Sequence, residues 1–315
     1  MAFFEDTVLK GKHLIGLDDF TREEVGRILD RGQALKAELK SGRTRPSLAG
    51  KSVAMIFEKA STRTRVSFQV GIAQLGAKEV FLPGRELQLA RGEPIKDSAR
   101  VLSRYVDAVV IRANRHRDVV EFASWSSVPV INGLTDLLHP CQVLADLFTI
   151  REAGMDLDRI KLAFIGDGNN MANSWINASA IFGFELCLAC PPGYDPDPKV
   201  LQKARAAGAN AKIVRDPAAA GKGADVLYTD VWVSMGQEKE KAKRLRAFKK
   251  YQINTALLTR AAPGARVLHC LPAHRGQEIT DEVIEGKSSI VFDQAENRLH
   301  VQKAVLELLI LGPGP

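Results

Sequence analysis

Residues 161–190 read KLAFIGDGNNMANSWINASAIFGFELCLAC. Lys161–Ile165 is a short apolar run of the kind that forms a buried strand, and it opens onto Gly166-Asp167-Gly168. Met171–Phe182 follows with the length and composition of a helix, and Phe184–Ala189 is a second buried strand. Strand, turn, helix and strand in this order is the unit from which parallel sheets are built.

The same alternation continues in both directions. Downstream lie a helix at Lys199–Ala207, strands at Val226–Thr229 and Arg266–His269, and a last helix at about Asn297–Leu309 that runs into a GPGP tail. Upstream, Ser52–Phe57 reads as a strand, Thr62–Leu75 as a helix ending at Gly76, and Glu79–Leu82 as a short strand. Asp97–Tyr105 is helical and Ala108–Ile111 is a strand. Val128–Ile131 is another, stopped by Asn132-Gly133. Gln142–Ala153 is a helix that bridges two halves and ends at Gly154. The expected fold is α/β with two domains. Each is a mainly parallel sheet flanked by helices, with the active site in the cleft between them. The boundaries fall at 1–150 and 151–295, and the C-terminal helix, about 296–315, is expected to pack back onto the first domain.

Composition narrows the function classes. The chain has 315 residues, 44 basic and 37 acidic side chains and a net charge of +7. With 45% hydrophobic and 26% charged residues it matches a soluble globular protein, not a disordered one. The most apolar stretch, Ala178 to Cys190, is short and broken by Glu185, so no membrane span is expected. The start, MAFFEDTVLKGKHL, has no apolar core of a secretory signal. Four cysteines are too few for a disulfide framework, which points to a reduced, cytoplasmic setting. The positive charge fits either nucleic acid or a small anionic ligand. Aromatic residues are scarce and not interleaved with basic ones, which argues against nucleic acid. The run Glu238–Lys250 mixes both signs and reads as a solvated face. The surrounding stretch, Ser234–Tyr251, carries Gly236 and few apolar anchors, so a mobile lid is expected there.

Five segments carry chemistry. Ser61-Thr62-Arg63-Thr64-Arg65 follows a strand and opens a helix, so hydroxyls, backbone N–H groups and arginines make an anion cradle; the plain alternative is a Ser/Thr cap. His139-Pro140-Cys141-Gln142 sits at a strand-to-helix turn, where an imidazole suits a substrate oxygen. Gly166-Asp167-Gly168-Asn169-Asn170-Met171 resembles part of a dinucleotide fingerprint. Met171 stands where that fingerprint needs a small residue, and the asparagines suit a polar substrate equally. Asp230-Val231-Trp232-Val233-Ser234-Met235-Gly236 puts a carboxylate and a hydroxyl after a strand, either for an amino acid or as a turn cap. His269-Cys270-Leu271-Pro272 places a thiol at another strand end, as packing or as a polarisable partner for a nucleophile. Cys187 and Cys190 form a CxxC, but strand geometry sends the two thiols to opposite faces, so no metal site is expected.

In this order and spacing, STRTR, HPCQ, GDGNNMANS, DVWVSMG and HCLP resemble the aspartate/ornithine carbamoyltransferase superfamily over essentially the whole chain. The DxxxSMG and HCLP segments look like its ornithine branch. The resemblance implies carbamoyl transfer from carbamoyl phosphate to the δ-amine of L-ornithine, giving citrulline and phosphate, in arginine biosynthesis or the urea cycle. Putrescine or N-acetylornithine is the alternative acceptor. Carried over by motif, Ser61, Thr62, Arg63, Thr64, Arg112 and Arg298 would hold carbamoyl phosphate, with His139, Pro140, Cys141 and Gln142 at its carbamoyl group. Gln88 matches a position that family trimers donate from a neighbouring subunit. Cys270 and Leu271 would lie beside the reacting amine, and Asn170, Asp230, Ser234 and Met235 would hold ornithine. The catalytic set would be Arg63, Arg112, His139, Asp230 and Cys270. No cofactor and no metal is implied, and a homotrimer or a multiple of trimers is.

Overall fold

The computed structural model describes residues 9–234 and 236–312, apart from the side chain of Glu238. The chain forms two compact units. One runs to Leu144 and takes in the chain again from Asn297; the other covers Ala145–Glu296.

In the first unit, β1 (Ser52–Phe57), β2 (Lys78–Pro83), β3 (Ala108–Arg112) and β4 (Val130–Leu134) make a parallel sheet of order β2-β1-β3-β4. Its helices are α1 (Arg22–Lys40), α2 (Thr62–Gln74), α3 (Ile95–Leu102), α4 (His116–Trp125) and the start of α5 (Pro140–Glu152). Central strands are apolar throughout because both faces are covered: Val53–Phe57 and Ala108–Ile111 are buried. β2 is an edge strand and carries Lys78 and Glu79, which keep that edge solvated. Ile56, Val109, Ile111 and Phe122 belong to one apolar cluster.

The N-terminal helix α1 lies in a region the alternation left unassigned. Its start is set by a capping box: Thr21 Oγ1 accepts from the Glu24 N–H at 3.2 Å, and Glu24 Oε2 accepts from the Thr21 N–H at 2.8 Å.

The second unit holds β5 (Lys161–Ile165), β6 (Glu185–Ala189), β7 (Ala211–Val214), β8 (Val226–Thr229) and β9 (Arg266–His269). They form a parallel sheet of order β7-β6-β5-β8-β9. Around it are α6 (Asn170–Phe182), α7 (Pro198–Ala206), α8 (Pro217–Gly221), α9 (Lys241–Phe248), α10 (Thr255–Leu258) and α11 (Asp281–Ile284). The last helix, α12 (Val291–Leu311), begins in this unit and ends in the first. Trp175 and Tyr228 meet edge to face at 5.4 Å, and Phe164 stacks on Tyr228 at 5.7 Å, which fixes α6 onto β5 and β8.

In each sheet the chain order reverses once: between β1 and β3, and between β5 and β8. Ligands of open α/β sheets bind beyond the carboxyl ends of the strands that flank such a reversal. At and just beyond those ends stand Arg112 and Ser61–Arg65 in the first unit, and Gly166–Asn170 and Asp230 in the second.

Two expectations need correction. Asn132-Gly133 does not stop its strand, because β4 continues to Leu134. Asn132 is buried, its Nδ2 donates to Ile15 O at 2.9 Å, and the register against β3 slips between Ile111 and Arg112. Gly133 is thus the extra residue of a bulge beside Arg112. Helix α12 begins at Val291, well ahead of Asn297. The mixed-charge run is solvated as expected, with residues 239–243, Arg246, Lys249 and Lys250 exposed, and only Arg244 and Phe248 among its described residues are buried. Arg244 forms a buried ion pair with Asp167, and its Nε donates to Trp232 O at 2.5 Å.

Candidate active site

The first unit gathers its chemistry around Thr64. Ser61 is the N-cap residue of α2 but makes no side-chain capping bond, so the helix start is not the plain Ser/Thr cap. Thr62 is exposed, Arg63 half-buried and Thr64 buried. Thr64 Oγ1 accepts from Arg112 Nη1 at 3.2 Å and from Arg298 Nη2 at 2.8 Å. Arg298 Nη1 in turn donates to Gln142 Oε1 at 2.5 Å. Two guanidiniums from β3 and α12 are thereby drawn together by neutral oxygen acceptors. Like charges held this way strongly favour an anion.

His139, just ahead of α5, is buried in the same unit. Burial, and then the charges of Arg298, Arg112 and Arg63, hold its imidazole well below the usual value of 6.5. It is neutral at neutral pH and remains able to donate one N–H. Pro140 occupies the first position of α5, which needs no N–H donor there. The Cys141 thiol is engaged with β4. Its Sγ donates to Asn132 O at 3.4 Å, and burial pushes the thiol up to about 12.

One residue departs from the sequence reading of this cradle. Arg65 stacks its guanidinium over the Phe81 ring at 3.8 Å and is exposed, so it belongs to the surface. Gln88, which the resemblance assigns to a neighbouring subunit's site, lies on an exposed one-turn helix, Gln88–Arg91.

The second unit builds a different site around Asp230. Its carboxylate follows β8 and is nearly buried, at 8% exposure. Oδ1 accepts from the Val231 N–H at 2.8 Å and from Cys270 Sγ at 3.0 Å; Oδ2 accepts from Asn169 Nδ2 at 2.7 Å. Asn169 also caps α6, with Oδ1 accepting from the Met171 N–H at 2.9 Å. Asn169, not its neighbour Asn170, is therefore the asparagine bonded to Asp230. Asn170 opens α6 and is half-buried. Ser234 is half-buried, and its N–H donates to Gln237 Oε1 at 3.0 Å. Met235 lies outside the described residues.

The glycines of Gly166-Asp167-Gly168 have a local cause. A Cβ on Gly168 would stand 2.2 Å from Pro196 N, so the 194–196 backbone needs that space. Asp167 is spent on Arg244, and burial raises its carboxyl to about 6 against that arginine's pull. These contacts explain the motif without a dinucleotide.

Cys270 and Leu271 follow β9. Leu271 has φ of 55°, in the left-handed region, and its N–H donates to His269 Nδ1 at 2.8 Å. His269, Asp230 and Cys270 bring an imidazole, a carboxylate and a thiol within 4.8 Å, a grouping suited in type to a metal ion. Both His269 ring nitrogens are already engaged, Nδ1 by Leu271 and Nε2 by Glu278 at 3.1 Å. Glu278, Asp167 and Arg244 were not singled out from sequence as site residues. Only Asp167, at a strand end, carried a signal in its position.

Comparison with known proteins assigns both units. The carbamoyl-P binding domain of aspartate/ornithine carbamoyltransferase matches residues 12–152, and the Asp/Orn binding domain matches residues 158–309. An ornithine carbamoyltransferase of Methanoculleus marisnigri is 55% identical over 96% of this chain and 97% of its own length. One from Geobacter sulfurreducens is 55% identical over 95% and 99%. Among solved structures, the ornithine carbamoyltransferase of Pyrococcus furiosus superposes with a TM-score of 0.93 at 48% identity, covering 98% of this chain and 100% of that one. Matching motifs, matching domains in order and end-to-end likeness agree: the chain belongs to the aspartate/ornithine carbamoyltransferase family.

Proposed function

We propose that the protein transfers the carbamoyl group of carbamoyl phosphate to the δ-amine of L-ornithine, releasing L-citrulline and phosphate. The observation that carries this reading is the neutral, buried His139 among the charges of Arg63, Arg112 and Arg298, with Thr64 as shared acceptor. That set fits a dianionic phosphate joined to a carbonyl. The relatives named ornithine carbamoyltransferase support the same substrate pair.

The chemistry follows from the donors. Attack of the amine on the carbonyl carbon builds negative charge on its oxygen. His139 N–H and the Arg112 guanidinium stabilise that charge, an effect worth about 3–4 kcal/mol for one well-placed donor. As the C–O bond to phosphate breaks, Arg63, Arg112 and the hydroxyls of Ser61, Thr62 and Thr64 hold the departing dianion. Arg298 and Gln142 close the carbamoyl side. An amine of ornithine's type titrates near ~10.4, so it arrives protonated and must lose a proton before attack. Asp230 and Cys270 orient it, with Asn170, Ser234 and Met235 at the amino-acid end; the first proton passes to solvent before attack, and the second, lost as the C–N bond forms, goes to the departing phosphate. Cys270 forms no covalent intermediate in this scheme. Trapping a carbamoyl thioester on it would contradict the scheme.

The first unit is thus the carbamoyl-phosphate domain and the second the ornithine domain. Exposed Gln88 suits donation to a neighbouring subunit of a homotrimer. None of the described helices is long and apolar enough to cross a membrane, and the four cysteines are free. Both fit an enzyme working in the cytoplasm, where thiols stay reduced. The test is a side-by-side assay of ornithine, putrescine, N-acetylornithine and aspartate, with phosphate release and carbamoylated product measured together. Ornithine is expected to give the highest kcat/KM. Preference for another amine would overturn the assignment.

A further inference from the structure

The His269-Cys270-Leu271 turn is held by one ring. His269 donates its own backbone N–H to Gln294 Oε1 at 2.9 Å, and its Nδ1 accepts from the Leu271 N–H at 2.8 Å. Cys270 therefore sits between two backbone amides, each fixed in a bond that involves His269. An Nδ1 that accepts leaves the ring proton on Nε2. Nε2 faces Glu278 Oε1 at 3.1 Å. Glu278 is fully buried, and the same oxygen accepts from the His274 N–H at 2.5 Å. The backbone around Glu278 is pinned as well: Ile253 N–H donates to Glu278 O at 2.8 Å, and Thr280 N–H to Ile253 O at 3.0 Å.

A carboxylate only accepts, so it selects the Nε2–H form of a neighbouring imidazole. If the ring carried its proton on Nδ1, it would lose its bond from Leu271, whose φ of 55° is an uncommon conformation for a bulky residue. Cys270 lies on the same turn, and its Sγ meets Asp230 at 3.0 Å.

We propose that Glu278 is a positioning residue for the transfer reaction. It fixes the tautomer of His269, and His269 then sets where Cys270 stands against Asp230. This rests on the reading that Asp230 and Cys270 orient the attacking amine. His269 is on this account a clamp and not a proton carrier.

The test combines a spectrum with kinetics. In protein labelled with 15N at histidine, His269 should show an unprotonated Nδ1 and a protonated Nε2. Glu278→Gln offers both a donor and an acceptor, so it should admit the second tautomer. Its kcat should fall by up to about tenfold, the loss expected when the Cys270–Asp230 hydrogen bond is misplaced. Carbamoyl phosphate affinity should be unchanged. A protonated Nδ1 in the wild type, or a Glu278→Gln protein with altered melting but unchanged kcat, would overturn the proposal. If Glu278→Gln does not fold, His269→Asn and His269→Ala decide. The asparagine amide oxygen stands near the place of Nδ1, so turnover retained in Asn and lost in Ala supports the clamp. Equal loss overturns it. A wild-type protein that carbamoylates no ornithine would sink the functional reading instead, while the tautomer would still be found as described.

Discussion

Thr64 is a single hydroxyl on which two arginines from distant parts of the chain converge, at 3.2 and 2.8 Å. Its neighbour in the site, His139, makes a pH-dependent contribution. The imidazole is held well below 6.5 in the native protein by burial and three arginines. The unfolded chain takes up a proton on His139 at pH values where the native chain does not. The contribution is therefore complete above pH 6.5 and is lost as pH falls toward the native value. Chemical denaturation at about pH 7.5 and about pH 5.5 should show a smaller loss for His139→Asn than for wild type. An equal loss would mean that the ring is already charged when folded. At the other site, Cys270→Ala should lower kcat about tenfold without abolishing it, since one hydrogen bond to Asp230 goes and no covalent step does. Much of this residue-level chemistry was legible, because Ser61–Thr64, Arg112, His139 and Asp230 sit at strand ends that the apolar runs reveal. Arg65 misled because spacing alone does not say which arginine turns outward to Phe81. Asn169 and Asn170 were indistinguishable until the start of α6 was fixed. Glu278 gave no signal, since its value comes from meeting His269 across a turn.

At the scale of elements, the turn after β5 and the helix α9 make one device. Gly168 leaves room for the 194–196 backbone, and Asp167 holds Arg244. Gly168→Ala should cost at least about 1–3 kcal/mol, because backbone, and not a movable side chain, occupies the Cβ position. Arg244→Met leaves Asp167 buried without its cation and should cost about 3–5 kcal/mol. Urea denaturation of each variant measures both; a loss below about 0.5 kcal/mol, the scale of a surface change, would contradict the packing described. Strands were the most legible elements. Lys161–Ile165, Val226–Thr229 and Arg266–His269 agree with β5, β8 and β9 at both ends, since parallel strands buried on two faces show as unbroken apolar runs. Amphipathic α1 and edge strand β7 were missed, because half-polar elements blend into their surroundings. Arg244 was hidden in a run of mixed charge that reads as solvent-facing.

At the scale of the whole molecule, two parallel sheets each reverse their chain order once, and Arg112 and Asp230 stand at the ends of strands that flank those reversals. The alternation of strands and helices made this architecture legible. Strand order was not, because it depends on which strands pair. On the proposed function, Arg63, Arg112 and Arg298 put part of the net charge of +7 to use, while most other basic residues are exposed. The central claim is that the first unit holds carbamoyl phosphate and the second orients the amine. Titration calorimetry of carbamoyl phosphate into wild type, Arg112→Met and Asp230→Asn tests it most directly. The account predicts that Arg112→Met loses binding by at least about tenfold while Asp230→Asn binds as wild type does. Undiminished binding by Arg112→Met, or a comparable loss in Asp230→Asn, would contradict it.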